Sequence, residues 1–104
     1  MAKKRLASRP VALVTGAGQG IGRGIALELA RQGFDIAGLD IRHDAKDLKK
    51  GLFEVKEKVG RLGRRFLPVR CDLADLAGHD RAVEAVLAEF GRIDVLVNNA
   101  GVAP

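Results

Sequence analysis

Four short apolar runs alternate along this chain with three longer stretches of helical periodicity, and that alternation limits the folds open to it. The runs are Arg9–Thr15, Asp35–Leu39, Arg65–Arg70 and Ile93–Val97. Each is too short for a stable helix and, with few polar positions, reads as a buried strand. Between them Ile21, Ile25 and Leu29 recur every four residues, with Ala26 and Ala30 beside them. Leu48, Leu52, Val55, Val59 and Leu62 make a second stripe, and Ala82, Val83, Val86, Leu87 and Phe90 a third. Gly33 stands where a left-handed cap would close the first helix, while Gly63 and Gly91 end the other two. Gly51 and Gly60 are expected to weaken the second helix by ~1 kcal/mol each relative to alanine. Strands and helices in strict alternation imply right-handed βαβ units, hence an α/β fold with a doubly wound parallel sheet. Pro68 has no N–H to give a ladder, so the third strand belongs at a sheet edge. The doubly wound order 3-2-1-4 puts it there. The fourth strand is expected to be paired with something in any ordered structure, either the rest of its own protein or another subunit, because an exposed apolar edge invites aggregation.

Composition narrows the function classes. The chain has 104 residues, 47% of them apolar and 30% charged, with a net charge of +5. That is one small domain or a piece of a larger one, too apolar for disorder. No apolar run has the length of a membrane span, and Met1–Pro10, with four basic residues and no apolar centre, is not a secretory signal. The single cysteine, Cys71, can form neither an internal disulfide nor a multi-cysteine zinc site, which favours a reducing cytoplasm. At the end of a strand it reads as a small buried hydrophobe. There is no tyrosine or tryptophan, and the only serine is Ser8. Acid–base catalysis by a tyrosine, or by a serine deep in the fold, is thereby excluded for this chain alone. His43 and His79 are isolated and suggest no metal site. Residues 1–9 read as a basic tail and residues 10–104 as the folded domain.

The chemistry lies between the first strand and the first helix, in Thr15-Gly16-Ala17-Gly18-Gln19-Gly20-Ile21-Gly22. Glycine there permits φ > 0 and lets a phosphate reach main-chain N–H groups with no Cβ in the way. The helix N-terminus adds roughly half a positive charge towards a pyrophosphate. Gly22 and Gly24 would let the helix lie close to the strand. The spacing is not G-x-G-x-x-G, since Ile21 is three residues after Gly18, and no Gly-Lys-Ser/Thr follows to make a P-loop. Because the turn leaves a strand, opens a helix and is followed by an acidic residue at the end of the next strand, it reads as a dinucleotide site.

Thr15-Gly16-x-x-x-Gly20-x-Gly22, Cys71-Asp72-Leu73 and Asn98-Asn99-Ala100-Gly101, in that order, resemble the short-chain dehydrogenase/reductase family over about Pro10–Pro104. The resemblance implies a Rossmann-like sheet of which this chain is the first half, domain 10–104 stopping before the catalytic part. It implies a cofactor site made by Gly16, Gln19, Gly20, Ile21, Gly22, Asp40, Ile41, Asp72, Leu73, Asn99, Ala100 and Gly101. Asp40 would accept hydrogen bonds from both ribose hydroxyls and repel a 2′-phosphate. Basic residues that favour NADP in relatives are replaced by Gln19 and Ile41, although Arg42 and His43 lie nearby. NAD is therefore expected in preference to NADP. Asp72 resembles the residue that meets the adenine amino group, Leu73 its neighbour on the ring, and Asn99, Ala100 and Gly101 the backbone passing the ribose. Asp75 reads equally as a helix cap and as an adenine neighbour, and Asn98 as a tie between strands.

In the family, hydride transfer between nicotinamide and an alcohol or ketone uses a tyrosine, a lysine, a serine and an asparagine. None can be assigned here, and all are expected beyond Pro104. A 3-oxoacyl thioester, a diol, a small hydroxyketone and a sugar all remain open as substrates. The intact protein is expected to be a homo-oligomer, a dimer or a tetramer, in the cytoplasm. A second reading, a non-catalytic dinucleotide-binding module, is open too. A nucleic-acid partner is disfavoured: the basic residues of 46–65 share their segment with Asp47, Glu54 and Glu57, and no aromatic platform accompanies them.

Overall fold

In the computed structural model, which describes residues 9–72 and 74–99, the run Val11–Thr15 forms β1 and is buried at every position. Asp35–Asp40 (β2), Phe66–Arg70 (β3) and Val95–Val97 (β4) join it in one sheet of order β3-β2-β1-β4. All pairings are parallel. The doubly wound order 3-2-1-4 expected from the sequence is thus the order found. Pro68 lies on the outer strand, opposite Gly38, where a missing donor is tolerated. The helices are Gly20–Arg31 (α1), Leu52–Arg61 (α2) and Leu76–Phe90 (α3).

Period-two alternation along β1 divides the core. Ala12 and Val14 face one layer, built with Ala26, Leu27 and Ala30 of α1, Leu52, Val55 and Val59 of α2, and Phe66. Val11 and Leu13 face the other, built with Leu39, Cys71 and Ala82, Val86 and Phe90 of α3. A strand buried on both faces must be apolar throughout, which explains the unbroken run in the sequence.

The helices depart from their apolar stripes in three places. On α1 the contact face is Gly22, Ala26, Leu27 and Ala30, whereas Ile21 is 75% exposed at the rim of the sheet. Gly22, Ala26 and Ala30 let α1 approach the strands, and Ile21 is left at its flank. Leu48 is exposed ahead of α2, and Gly51, at φ +81°, is that helix's N-cap and not one of its interior residues. The expected weakening by Gly51 therefore does not arise. On α3, Val83 and Leu87 are exposed while Ala82, Val86 and Phe90 are buried. Asp75 caps α3 by accepting from Ala77 N at 3.1 Å, and Gly91, at φ +78°, closes it.

β4 is shorter than its apolar run because Asp94 takes over the pairing at its start. Asp94 N donates to Val11 O at 2.8 Å, and its Oδ2 accepts from Val11 N at 2.8 Å. Asp35, fully buried, does the same between β2 and β3, accepting from Arg65 N at 2.8 Å and Arg65 Nε at 3.2 Å. Among the described residues no helix is long and apolar enough to cross a membrane.

Gly38 sits where the sheet has no room for a side chain: a Cβ there would run into Phe66 Cζ and lie 2.8 Å from Phe66 Cε1 and 3.1 Å from Ala17 Cβ. Gly38→Ala should destabilise the chain by about 1–3 kcal/mol through overpacking. Thermal melts followed by far-UV circular dichroism should place its Tm at least about 4 °C below that of the parent. An unchanged Tm would show that the Phe66 ring turns aside without cost.

Candidate functional site

Parallel pairing brings the carboxyl ends of all four strands to one rim, and there a cleft of about 650 Å³ opens. Gly16, Gln19, Gly20 and Ile21 line it from the turn between β1 and α1, Asp40 and Ile41 from the end of β2, Asp72 from the end of β3, and Asn99 from beyond β4. Residues far apart in sequence, each expected to touch a dinucleotide, thus border a single space. Gly22 lies beneath the cleft and is buried. Leu73, Ala100 and Gly101 lie outside the described residues.

Gly16 and Gly20 adopt φ of +64° and +58°, a region costly for other residues, so the turn requires glycine. Ala17 N donates to Leu39 O at 3.2 Å and fastens the turn to β2. Gly22 has the opposite reason for being glycine. A Cβ there would strike the Gly16 carbonyl oxygen and lie 2.6 Å from Asn99 Nδ2. Gly24, expected to share that role, has open space around it and faces outward. Helix α1 has no side-chain cap and no acid in its first turn, so its leading N–H groups are left for solvent or a ligand.

Asp40 Oδ2 accepts from Gly18 N at 3.1 Å and Oδ1 from Arg42 N at 3.3 Å. The carboxylate stands between the main cleft and a second hollow of about 430 Å³ that Arg42, His43 and Lys50 border together with Asp44 and Asp47. The His43 ring meets Phe53 edge-on, with centroids 4.8 Å apart. Asp72 is exposed and accepts from Ala74 N at 3.0 Å, a local turn that leaves its outer lone pairs available.

Sequence reading gave Thr15 and Cys71 only as members of motifs, with no place among the site residues, and missed Leu39; Cys71 is the small buried hydrophobe expected of it. The Thr15 hydroxyl accepts from Asn99 N at 2.8 Å and lies 3.3 Å from Val97 O and 3.4 Å from Asn98 Oδ1. It is the tie between β1 and the segment after β4, a role the sequence suggested for Asn98 alone. Its place directly before the first glycine was the available signal. Leu39 and Cys71 form the apolar wall of the cleft. Burial, and secondarily the charges of Asp72 and Asp75, push the Cys71 thiol up.

Beside the turn, Arg23 of α1 donates to Glu54 of α2 twice, Nε to Oε1 at 2.8 Å and Nη2 to Oε2 at 2.6 Å. Lys58 Nζ is 3.5 Å from the same Oε2. The Arg23 hydrogen bonds hold the Glu54 carboxyl below its ordinary 4.5, against the upward push of burial. Among the described residues no cluster of three or more His, Cys, Asp or Glu is placed to hold a metal ion.

The family model described as short chain dehydrogenase matches residues 10–104. The chain is 45% identical over 92 residues to 2-dehydro-3-deoxy-D-gluconate 5-dehydrogenase of Dickeya dadantii (strain 3937), an alignment covering 88% of this chain and 33% of that protein. Among solved structures it resembles 3-oxoacyl-[acyl-carrier protein] reductase from Brucella melitensis in complex with NAD, at TM-score 0.80 and 45% identity, over 91% of this chain and 34% of that one. It also resembles an NAD+-bound xylitol dehydrogenase at TM-score 0.80 and 38% identity, over 89% and 34% of the two chains. The chain thus spans about a third of the length of these relatives.

The Arg23–Glu54 pair makes part of the chain's stability sensitive to acid. A carboxyl whose folded pKa lies below its unfolded value contributes stability that is complete above about pH 4.5 and is lost as pH falls through the lower folded value. Urea titrations followed by circular dichroism should show Glu54→Gln less stable at neutral pH, with a shallower decline of unfolding free energy below about pH 4.5. Parallel declines in the two proteins would remove the pair from that role.

Proposed function

The chain belongs to the short-chain dehydrogenase family, and on that footing we propose that it forms the dinucleotide-binding part of an NAD-dependent oxidoreductase. The observation that carries the reading is Asp40: its carboxylate stands at the end of β2, on the border of the same cleft as the phosphate-facing turn. The pyrophosphate of the cofactor would lie against Gly18–Gly22 and the open end of α1. The adenosine ribose would donate its hydroxyls to Asp40, and adenine would lie near Ile41, Asp72 and Leu73. Asn99, Ala100 and Gly101 would pass the nicotinamide-side ribose. NAD supplies hydride acceptance from an alcohol carbon, or in reduced form hydride donation to a carbonyl. The chain's own residues bind and orient it.

The relatives extend well beyond the part this chain matches. The acid–base residues implied by the family resemblance are proposed to lie there, with the substrate, an alcohol or ketone such as a 3-oxoacyl thioester, diol or sugar. The similar proteins whose names state a substrate act on several of these classes. Homo-oligomeric assembly and a cytoplasmic location belong to the same proposal.

Calorimetric titration should show NAD binding more tightly than NADP. Replacing Asp40 by Ser and Ile41 by Arg should reverse the order, shifting the NAD/NADP affinity ratio at least about tenfold, the effect of removing one repulsive charge and adding one attractive charge at a phosphate. Tighter binding of NADP to the parent chain would overturn the assignment of Asp40.

A further inference from the structure

Arg23 and Glu54 line no part of the main cleft, yet they join the elements that carry its two ends. Arg23 lies in the first turns of α1, directly behind the glycine turn, and its N donates to Gln19 O at 3.2 Å. Glu54 lies in the first turn of α2. The leading edge of α2 in turn abuts both the turn and the Asp40 carboxylate, and Gly18 is where all three meet. A Cβ on Gly18 would lie 2.9 Å from Asp40 Oδ2, 3.2 Å from Leu52 N and 3.4 Å from Gly51 C.

Resting on the dinucleotide reading above, we propose that Arg23 and Glu54 are positioning residues for the cofactor: by clamping α1 to the first turn of α2 they fix the spacing between the phosphate-facing turn and the ribose-facing Asp40. Apolar packing alone does not set that spacing. Leu52, Val55 and Val59 hold α2 against the sheet, but such contacts are non-directional and tolerate sliding. A guanidinium and a carboxylate joined by two parallel hydrogen bonds fix distance and plane together. The Glu54 side chain is 11% exposed and that of Arg23 35%, so the carboxylate is sheltered while the guanidinium stays partly screened by water, and it is the geometry of the pair that carries the argument. No acid stands in the first turn of α1 itself, which leaves Glu54 as the carboxylate that holds Arg23.

The clamp is distinguishable from a simple charge effect by sign. Removing the negative charge of Glu54 near a pyrophosphate site should, by Coulomb interaction alone, tighten an anionic ligand. A positioning role predicts the reverse. The chain and its variants Glu54→Gln, Arg23→Gln and Arg23→Lys are titrated calorimetrically with ADP, which spans turn and carboxylate, and with adenosine, which reaches only the carboxylate end. Far-UV circular dichroism establishes that each is folded. Glu54→Gln and Arg23→Gln should each weaken ADP about tenfold, the size of coupling lost when contacting charged partners are separated. Adenosine affinity should stay within about twofold, and Arg23→Lys, which keeps the charge but cannot make two parallel hydrogen bonds, should recover little of the ADP affinity that Arg23→Gln loses. Should Glu54→Gln fail to fold, Arg23→Lys carries the comparison. A charge effect keeps ADP affinity at the parent's level in it, which would overturn the proposal, whereas loss of the two-bond geometry weakens ADP and spares adenosine. ADP binding by Glu54→Gln as tight as, or tighter than, the parent would overturn the proposal. So would equal losses for ADP and adenosine, which mark general loosening. A parent chain that binds neither ligand would instead overturn the dinucleotide reading itself, and the clamp with it.

Discussion

The site depends on a place where no side chain fits. At Gly22 the backbone of α1 lies against the Gly16 carbonyl, and a Cβ would also come within 2.6 Å of Asn99 Nδ2. The end of β1, the start of α1 and the segment after β4 converge there. That approach brings the uncapped N–H groups of α1 to the rim of the sheet. It also lets the Thr15 hydroxyl take the Asn99 N–H at 2.8 Å. A bulkier residue at position 22 would push the helix away and separate the turn from Asn99. The small contact face that continues along α1, Ala26 and Ala30, keeps the helix equally close further along its length.

The two rims of the sheet are built on different principles. At the amino end, carboxylates replace ladder bonds: Asp35 takes Arg65 N, and Asp94 takes Val11 N. Both are further paired, Asp35 with Arg65 and Asp94 with Arg92, and the Arg92 hydrogen bonds hold the Asp94 carboxyl below its usual range. Side-chain carboxylates there saturate the backbone. At the carboxyl end the corresponding groups are glycines, an uncapped helix start and a carboxylate, Asp40, which among the described residues accepts from the backbone N–H groups of Gly18 and Arg42. One rim is closed by internal partners, while the other presents donors and acceptors to a cleft.

Most of the architecture was legible because its signals are periodic. Alternating runs and stripes gave the element order and the parallel sheet, and Pro68 marked the outer strand. The glycine turn and Asp40 were legible from their places after the first and second strands, whereas Asp72 and Asn99 entered the site through the family resemblance; parallel pairing brings all of them to one rim. What escaped was set by tertiary contact. Ile21 belongs to the first stripe by spacing but is exposed because the small residues beside it make the closer contact. Leu48 continues the second stripe by spacing, but Gly51 at positive φ starts the helix after it. Gly22 and Gly24 look alike in sequence, and only the position of the Gly16 carbonyl and Asn99 tells them apart. The Arg23–Glu54 pair joins residues 31 positions apart across two helices, a separation no local pattern encodes.

Asp40 shows how these layers combine. A carboxylate has about four lone-pair positions. The N–H groups of Gly18 and Arg42 occupy one on each oxygen, which fixes the plane of the group and leaves acceptor capacity facing outward. Ribose hydroxyls, being donors, complement such an acceptor, whereas a 2′-phosphate brings only negative charge to it. Arg42 and Lys50 at the adjoining hollow soften that repulsion without removing it, since Asp44 and Asp47 border the same space. On the proposed reading, selectivity for the cofactor therefore resides less in the count of basic residues near the pocket than in the fixed orientation of one carboxylate. That orientation is inherited from Gly18, which is itself held where it is by the close packing of the turn against α2.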